Sequence, residues 1–417
     1  MSEKPSILFI SENYPPENFA AAIRVYERGV YWNKWGYGTQ FITSFPNRHQ
    51  GKSHRGYENS LYKMSFEEGI GVLRVKTYIP KSKHLFYRAL HQISFMISAF
   101  LGGLLIKRKS IVIATTPQFF CSFSGLLIAR IKRIPFILEV ADIWTNSIKG
   151  TVKNNSYFFS LLLNIEEFIF RKADAIIVLT EGFRDEIIHR GIKKEKVHVV
   201  RNGVNKTQLE DIKPVILKEE CDLDDELIVG YAGSLGPAQG LRNICDTAQI
   251  LHSKRITNIK FIFIGEGDDK KLLEKQAEEL DNIIYLGNRD REVIPAYLAC
   301  FDIGLAHLNN SPVWKTTIPS KIFEMMASGL PIMLVSPQGE ASGIIKEYDV
   351  GKWINAGDPK SLADSLIDLA SDREKLKRYA KNSLLASKNF RRDIQAQKVI
   401  DVVEKVISSK INKDKGT

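Results

Sequence analysis

Residues 314–335, WKTTIPSKIFEMMASGLPIMLV, decide the fold, because they predict a loop, a short helix, a sharp stop and a buried strand. Pro319 suits the first turn of a helix, where its missing backbone N–H leaves no partner unsatisfied. Gly329 then ends the helix, and Pro331 prevents it from resuming. The apolar run at 330–335 is typical of a parallel strand that is buried on both faces.

The start of this predicted helix has the features of an anion site. Its free backbone N–H groups and its dipole attract negative charge, and Thr317 or Ser320 can cap it with a hydroxyl. Lys321 and Glu324 are three residues apart and share one face of the helix. A cation for phosphate beside a carboxylate for sugar hydroxyls is the pair that a nucleotide diphosphate needs. On local signal alone, a capped surface helix with an ion pair remains the preferred interpretation.

Strand and helix patterns alternate along the whole chain, which predicts an α/β protein with parallel sheets. The predicted strands are 7–10, 41–43, 111–114, 136–140, 174–180 and 197–200 in the first half, and 227–233, 259–265, 283–286, 303–306 and 332–335 in the second. The stretch at 46–68 is polar and longer than most connections, so it is predicted to be irregular.

The length of 417 residues predicts two domains of ordinary size. A polar, charged stretch at 206–225 is the expected linker, so we expect one domain at 1–205 and a second at 206–390. Each is predicted to be a doubly wound, Rossmann-like sheet with ligands at the carboxyl ends of its strands, and a cleft is expected between the two. The last 27 residues, 391–417, are expected to form a separate tail helix after the second sheet is complete.

The net charge of +11 is unevenly distributed along the chain. Residues 1–205 carry a net charge of +13 and residues 206–417 carry −2. A basic first half suggests an anionic partner, such as a nucleic acid, an anionic membrane surface or a diphosphate-linked lipid. No nucleic-acid motif is visible, so we expect no nucleic acid among the partners. A soluble basic surface without a specific partner remains an alternative.

The cysteines and the first residues indicate the compartment. The four cysteines are far apart and form no C-x-x-C pair; they are Cys121, Cys221, Cys245 and Cys300. This spacing fits a reducing cytoplasm and argues against a disulfide framework and a zinc site. The chain runs directly into a predicted strand, so we expect no signal peptide.

An apolar run in the first half is a candidate membrane contact. Between Arg88 and Lys107 lie 18 residues without a formal charge, and basic residues flank both sides. About 18–20 apolar residues are the lower limit for crossing a bilayer. His91 and Gln92 weaken a spanning helix, so an interfacial helix at 89–106 on an anionic surface fits better. A helix buried against the sheet remains an alternative.

The segment IPSKIFEMMASGLPI at 318–332 resembles the PSK-x-FEYMA-x-GKPI segment of glycosyltransferase family 4. It most resembles the bacterial branch that builds O-antigen, capsule and other surface polysaccharides. Further segments that resemble family motifs are SENYPPE at 11–17, FILEVADIW at 136–144, RKADAIIVLT at 171–180 and VRNGV at 200–204. The resemblance implies the GT-B fold, with an acceptor-side first domain, a nucleotide-sugar-binding second domain and a tail helix that crosses back to the first.

The resemblance also implies a donor site around the helix that is predicted between Pro319 and Gly329. In the family, the glutamate at the place of Glu324 holds the ribose hydroxyls, and many members carry a further glutamate where Thr316 stands. Lys321 is then the best remaining cation for the diphosphate, backed by Lys315, although a solvated surface lysine is the commoner case. The predicted donor site comprises Gly233, Ser234, Gly236, Gln239, Gly240, Arg289, Lys315, Thr316, Pro319, Ser320, Lys321 and Glu324.

The glycine-rich loop at 233–240 follows a predicted strand and opens a helix, which is the geometry of a phosphate cradle. In the family this loop often supplies an arginine and a lysine to the diphosphate. Ser234 and Gln239 occupy those places here. A plain glycine-rich turn explains the loop equally well.

Two carboxylates are the candidate catalytic residues. Asp142 lies at the carboxyl end of a predicted strand, where it could orient an acceptor hydroxyl or take its proton, and a helix cap explains it equally well. Glu17 in the first loop could contact the acceptor, although an exposed loop carboxylate is the commoner case. The D-x-D at 222–224 and the GEG at 265–267 lack the context of a metal or dinucleotide site, so we expect neither a metal nor a cofactor.

Taken with the resemblance, these residues predict a retaining glycosyltransferase. Its expected donor is a UDP-sugar, with an N-acetylhexosamine or a deoxy relative as the first choice. Its expected acceptor is a lipid-linked glycan, of the undecaprenyl diphosphate kind, at the inner face of the cytoplasmic membrane. Two alternatives stay open: a non-hydrolysing UDP-sugar 2-epimerase of the same fold, and a non-catalytic relative that binds nucleotide sugars.

Overall fold

The computed structural model describes residues 4–17, 20–47, 56–80, 82, 84–116, 119–149, 156–205, 220–221, 223 and 225–415. The predicted linker at 206–225 and the D-x-D at 222–224 therefore lie largely outside the described residues. The chain divides into two compact units, which are Met1–Arg201 with Arg392–Thr417 (unit 1) and Asn202–Arg391 (unit 2). This division falls close to the expected boundaries after residues 205 and 390.

Unit 1 is built on an eight-stranded sheet in the order β3-β4-β2-β1-β5-β6-β7-β8. Its strands are β1 (Ile7–Ile10), β2 (Thr39–Ser44), β3 (Tyr62–Glu67), β4 (Ile70–Val75), β5 (Ile111–Thr115), β6 (Phe136–Val140), β7 (Ala175–Val178) and β8 (Val197–Val199). Its helices before the linker are α1 (Ala20–Lys34), α2 (Leu85–Leu105), α3 (Phe119–Lys132), α4 (Trp144–Lys149), α5 (Ser156–Lys172) and α6 (Glu181–His189). All strand pairs are parallel except β3 with β4.

Unit 2 has a six-stranded parallel sheet in the order β11-β10-β9-β12-β13-β14. Its strands are β9 (Leu227–Ala232), β10 (Ile259–Ile264), β11 (Ile283–Tyr285), β12 (Ile303–His307), β13 (Ile332–Ser336) and β14 (Gly351–Asn355). Its helices are α7 (Arg242–Ser253), α8 (Lys270–Glu279), α9 (Ile294–Leu298), α10 (Lys321–Ala327), α11 (Glu340–Glu347), α12 (Pro359–Ser371) and α13 (Arg373–Ser387). The last helix, α14 (Arg392–Lys415), belongs to unit 1.

Both faces of each sheet are covered by helices, and the alternation of side chains along the strands explains why. In β1, Leu8 and Ile10 enter a core with α2, α3, α5 and α6. Ile7 and Phe9 point to the opposite face and join a core with α1 and α14. Strands buried on both faces read as continuous apolar runs, which is why most of them were predictable. The predicted α/β class with two doubly wound sheets is confirmed.

Three strands were missed by the sequence-based prediction, and each has a physical reason. The stretch at 46–68 was expected to be irregular, but β3 lies within it as an exposed edge strand with a polar pattern. The second missed strand is its neighbour β4. It contains a charged residue, Arg74, which is buried because it pairs with Glu67 at 3.0 Å. At the far edge of unit 2, β14 is only half-buried and carries no continuous apolar run.

Close backbone contact positions the loops at the carboxyl ends of β9 and β10. A Cβ atom on Gly265 would lie 1.8 Å from the carbonyl oxygen of Gly233, and one on Gly267 would lie 2.0 Å from that of Leu235. Only glycine permits this approach. The two loops are therefore locked together at the edge of the sheet where doubly wound proteins bind ligands.

Candidate functional site

The amine of Lys321 lies under the loop that follows β9. Its Nζ atom is 3.6 Å from the centre of the Tyr231 ring, in cation–π geometry. Gly233 has a φ angle of +144°, and a Cβ atom there would meet Lys321 Nζ at 2.9 Å. A glycine is therefore required at 233 both by its backbone conformation and by the space that the lysine occupies.

The environment of Lys321 differs from that of a surface lysine. The residue keeps some exposed area, but its Nζ atom is buried, and no hydrogen-bond partner for it exists among the described residues. Burial lowers the pKa of Lys321 to about 7, and the nearby carboxylate of Glu324 opposes this shift only in part. The sequence predicted Lys321 as the cation for phosphate, and the structure places its amine in a buried setting that favours the neutral form.

The loop at 233–240 is held in shape by its own residues. The backbone N–H of Gly236 donates to Oε1 of Gln239 at 3.2 Å, and the hydroxyl of Tyr231 donates to the carbonyl of Ser234 at 2.7 Å. Nδ1 of His307, at the end of β12, donates to the carbonyl of Gln239. Gln239 therefore stabilises the conformation of the loop, and its side chain accepts the hydrogen bond of one backbone amide, that of Gly236.

The end of the loop is closed by a left-handed glycine. Gly240 has a φ angle of +58°, and a Cβ atom there would lie 3.1 Å from Asn309. Asn309 in turn donates its backbone N–H to the carbonyl of Ala238 at 2.9 Å. The predicted loop residues are thus brought together with the segment that follows β12.

The segment before α10 corrects one local prediction. The helix begins at Lys321, so Pro319 precedes it instead of lying in its first turn. Ser320 takes the cap position, but its side chain makes no capping hydrogen bond. Thr316 and Lys315 end a short 3-10 turn, Pro312–Thr316, and Lys315 is exposed.

Glu324 is half-exposed on α10. A guanidinium nitrogen of Arg291 lies 3.8 Å from one of its carboxylate oxygens. The sequence predicted Arg289, not Arg291, as a donor-site residue. In the structure each nitrogen of the Arg289 guanidinium bonds within unit 2, to Tyr297, Leu286 and Glu220. No sequence motif distinguishes the two arginines, because only the turn after β11 decides which one faces α10.

A second group of titratable residues lies in unit 1, at the carboxyl end of β1. Glu12 Oε1 and His91 Nε2 are 2.5 Å apart, and Nδ1 of His91 bonds to the carbonyl of Tyr78. Burial disfavours charge on His91, but the hydrogen bond and the charge of Glu12 outweigh it and raise the pKa of His91. The carboxylate of Glu12 therefore favours the charged form of the His91 ring. Sequence reasoning missed this pair, since Glu12 and His91 are 79 residues apart in the chain.

The two predicted catalytic carboxylates have different settings in unit 1. Burial raises the pKa of Glu17 to about 7, although backbone N–H groups near Asn47 and Tyr14 oppose the shift. Glu17 is thus an acid–base group at neutral pH. Asp142 follows β6, and its backbone N–H and carbonyl both bond to the hydroxyl of Thr116, at 3.4 and 3.0 Å. This bonding fixes the turn at the end of β6.

Two family descriptions match the chain, one in each half. The "Glycosyl transferase 4-like domain" matches residues 22–203, and "Glycosyl transferases group 1" matches residues 216–385. The chain belongs to glycosyltransferase family 4.

Curated relatives and solved structures agree with this assignment. The glycosyltransferase is 25% identical over 336 residues to the putative colanic acid biosynthesis glycosyl transferase WcaI of Escherichia coli, covering 78% of this chain and 81% of WcaI. It is 25% identical to the probable glycosyltransferase WbjE of Pseudomonas aeruginosa, covering 63% and 66% of the two chains. Anabaena HepE, solved with UDP and glucose, aligns with a TM-score of 0.70 at 17% identity, over 96% of this chain and 100% of HepE. The GT-B type of fold implied by the resemblance is confirmed.

A glycosyltransferase breaks the bond between a sugar and its leaving group. The bond between the sugar and the leaving group breaks with a growing negative charge on the leaving oxygen, so positive charge and N–H groups near it lower the barrier. Unit 2 of the glycosyltransferase offers the Lys321 amine, the amides of the 233–240 loop and the Glu324 carboxylate. Unit 1 offers the Glu17 carboxyl, whose pKa is raised to about 7 by burial.

Proposed function

We propose that this glycosyltransferase moves an N-acetylated amino sugar, with retention of configuration, from a UDP-sugar to a lipid-linked glycan in the synthesis of a surface polysaccharide. The observation that carries the donor assignment is the single arrangement of Lys321, Gly233 and Glu324 at the carboxyl ends of β9 and β12. The similarity to WcaI and to TuaH of Bacillus subtilis, putative glycosyltransferases of colanic acid and teichuronic acid biosynthesis, supports polysaccharide synthesis. The UDP held by HepE supports the nucleotide.

In this proposal the UDP-sugar binds to unit 2. Glu324 accepts hydrogen bonds from two ribose hydroxyls, and Lys321 and the loop at 233–240 face the diphosphate. The bond between the anomeric carbon and the phosphate oxygen breaks, and UDP leaves with the electron pair. The acceptor oxygen forms the new glycosidic bond and releases its proton.

The acceptor side of the proposal rests on unit 1. Glu17 has a pKa of about 7, so a fraction of it is ready to take a proton at neutral pH. The buried pair of Glu12 and His91, with Oε1 and Nε2 2.5 Å apart, lies in the same unit. We assign Glu17 and Asp142 to the acceptor hydroxyl, with Glu17 as the residue that responds to pH.

The membrane part of the proposal rests on one outer surface of unit 1, which we call the apolar face. It is formed by large, exposed apolar side chains of α2, α3 and α5. These residues are Phe86, Tyr87, Leu90, Ile97, Leu101, Leu104, Leu105, Leu127, Ile131, Tyr157, Leu161 and Phe168. Contiguous exposed apolar surface of this kind marks an interaction site.

The three helices form one continuous layer on the sheet. Gly103 of α2 and Ile128 of α3 pack so closely that a Cβ atom on the glycine would lie 2.2 Å from Ile128. Arg130 of α3 donates to the carbonyl of Lys172, the last residue of α5, at 3.4 Å. The three helices are therefore neighbours, and we treat their exposed apolar side chains as one proposed surface.

Basic residues surround the carboxyl-terminal ends of the same three helices, and we call them the basic collar. They are Lys107, Arg108, Lys109, Arg130, Lys132, Arg133, Arg171 and Lys172. An apolar surface bordered by cations matches a membrane with anionic headgroups, where each basic residue contributes about 1 kcal/mol of attraction. This charge pattern supports an anionic lipid surface as the proposed partner.

The helix α2 is long and apolar enough to cross a membrane by length and composition. Its inner side is nevertheless part of the core, where Phe95 and Ala99 are fully buried. A helix that contributes to the core of unit 1 cannot leave it without opening the sheet. We therefore propose that α2 lies on the membrane with α3 and α5, at the inner face of the cytoplasmic membrane.

The donor is tested by thermal unfolding with UDP, UDP-GlcNAc, UDP-glucose and GDP-mannose. A ligand at about one hundred times its Kd stabilises the folded state by about 2.7 kcal/mol, so the correct nucleotide raises Tm. We expect UDP-GlcNAc to give the largest rise. No rise with any uridine nucleotide contradicts the donor assignment, and conversion of UDP-GlcNAc to its manno epimer without acceptor identifies an epimerase instead.

The membrane contact is tested by sedimentation with vesicles of phosphatidylcholine alone or mixed with phosphatidylglycerol. We expect binding to the anionic vesicles and release as salt rises. The double variant Ile97→Glu, Leu101→Glu should lose binding. Its control is Leu385→Glu, a change of an equally exposed apolar residue in unit 2. Equal binding to neutral vesicles, or equal loss in the control, contradicts the proposed surface.

A further inference from the structure

We propose that this glycosyltransferase takes up one proton at Lys321 when the donor diphosphate binds, so that donor affinity is linked to pH. The inference rests on the proposed donor site and adds a proton to its ligands. The proton comes from the solvent and converts the neutral amine to an ammonium ion. No bond to the substrate forms or breaks in this step.

The amine of Lys321 is buried and has no counter-ion in direct contact among the described residues. Its Nζ atom is buried against the face of the Tyr231 ring and finds no hydrogen-bond acceptor among the described residues. An ammonium ion carries three donors, and leaving all of them unsatisfied away from water is costly. A ring face compensates only in part. The free protein therefore favours the neutral amine more than solvent does.

Three other titratable side chains lie around Lys321, on β9, β12 and α10. Tyr231 on β9 is kept as a phenol, since burial raises its pKa, and its hydroxyl is used by Ser234. Burial lowers the pKa of His307 on β12 to about 4, so its ring is neutral. Glu324 on α10 is associated with Arg291.

His307 is also structurally occupied. Nδ1 donates to the carbonyl of Gln239, and Nε2 lies 3.0 Å from the side-chain amide of Asn243. A second proton on this ring would place a donor against the Asn243 amide group or force that amide to turn. Lys321 is therefore the group of this cluster that is poised to change charge between about pH 7 and 9.

The lowered pKa of Lys321 determines how donor affinity depends on pH. The pKa of Lys321 in the free protein is about 7, and a diphosphate next to the amine raises it. Binding above pH 7 then requires proton uptake, and apparent affinity falls as pH rises, by up to about tenfold per unit. Below pH 7 the amine is already charged and affinity is flat.

The experiment is titration calorimetry with UDP-GlcNAc from pH 6 to 9, in MOPS and Tris, whose ionisation enthalpies differ. A UDP-sugar is the correct probe because its diphosphate is a diester without a proton that titrates in this range. At pH 8 we expect an uptake that approaches one proton, and affinity that falls tenfold or more between pH 7 and 9. Binding of UDP-GlcNAc without proton uptake at pH 8 overturns the inference alone. Absence of binding throughout overturns the proposed donor site as well.

Three variants assign the proton to one residue. Lys321→Met should bind weakly at every pH without proton uptake. Lys321→Arg keeps a permanent charge, so whatever affinity it retains should not depend on pH. The matched control is Lys346→Met. Lys346 is an exposed lysine of α11, and its Nζ atom lies 4.5 Å from the centre of the Trp353 ring on β14. This variant should keep the proton uptake. Proton uptake that persists in Lys321→Met overturns the assignment.

Discussion

Nε of Arg392 lies 2.6 Å from Oε2 of Glu27, and both side chains are buried. Arg392 is the first residue of α14, and Glu27 lies in the middle of α1. The next turn of α14 continues the contact, because Trp32 Nε1 donates to the carbonyl of Ala396 at 3.0 Å. The chain is therefore anchored to unit 1 at the residue where it returns from unit 2.

Arg392→Ala should destabilise unit 1 by about 3–5 kcal/mol, because the change leaves the Glu27 carboxylate buried without its partner. The measurement is urea unfolding of the full chain. Lys398→Ala, an exposed position on the same helix, should change the free energy of unfolding by less than about 0.5 kcal/mol. If both variants unfold at the same urea concentration as the wild type, the ion pair does not hold the tail.

Gly233→Ala should weaken donor binding beyond the effect of backbone strain. The new Cβ atom would press on Lys321 Nζ at 2.9 Å, and the φ angle of +144° disfavours any side chain. The control is Gly357→Ala, where φ is +86° and no atom lies within 4 Å of the added carbon. Both should lose about 1–2 kcal/mol of stability, and only Gly233→Ala should lose affinity for UDP. Equal affinities in the two variants would remove Gly233 from the site.

Glu324→Ala should weaken the binding of uridine and of UDP by the same factor, about 1–3 kcal/mol, because the ribose is common to both ligands. Lys321→Met should weaken UDP alone, since only the diphosphate meets the amine. Arg291→Ala removes a partly exposed partner of Glu324 and should change either affinity by less than about 1 kcal/mol. Calorimetry with both ligands separates the three cases. A Glu324→Ala variant that loses affinity for UDP but keeps it for uridine contradicts the ribose assignment.

Glu17 should make unit 1 less stable as pH rises. Its pKa is raised from 4.5 to about 7, so the folded carboxyl binds more protons than the unfolded one between these values. Stability is therefore lost as pH increases through this window, and the loss is complete above about pH 7. Glu17→Gln should match the wild type at pH 4 and exceed it by roughly 1–3 kcal/mol at pH 8. Urea unfolding at both pH values measures this difference, and an equal difference at the two pH values contradicts the shifted pKa.

The same substitution addresses the acceptor chemistry. If Glu17 takes the acceptor proton, Glu17→Gln should lower kcat and remove the ascending limb near pH 7 from its pH profile. Asp142→Asn should lower kcat without that change of shape. A stabilised Glu17→Gln variant with an unchanged pH profile would restrict Glu17 to a structural role.

The local patterns of the sequence determined the class of fold and the frame of the donor site. The continuous apolar runs predicted the central strands, because a strand buried on both faces has no polar positions. The segment at 318–332 placed Lys321 and Glu324 on one short helix beside a loop. Of the edge strands, β3 and β14 were missed because they show no such run, whereas β8 and β11 were predicted.

The tertiary structure alone decided the chemical state of these residues. Lys321 meets Tyr231 from a distance of 90 positions in the chain, and His91 meets Glu12 from 79. Whether an amine is charged depends on the water and the counter-charges around its nitrogen, and those belong to other segments. A sequence pattern can place a lysine at a helix start, but only the packing of β9, β12 and α10 makes its charge conditional on a ligand.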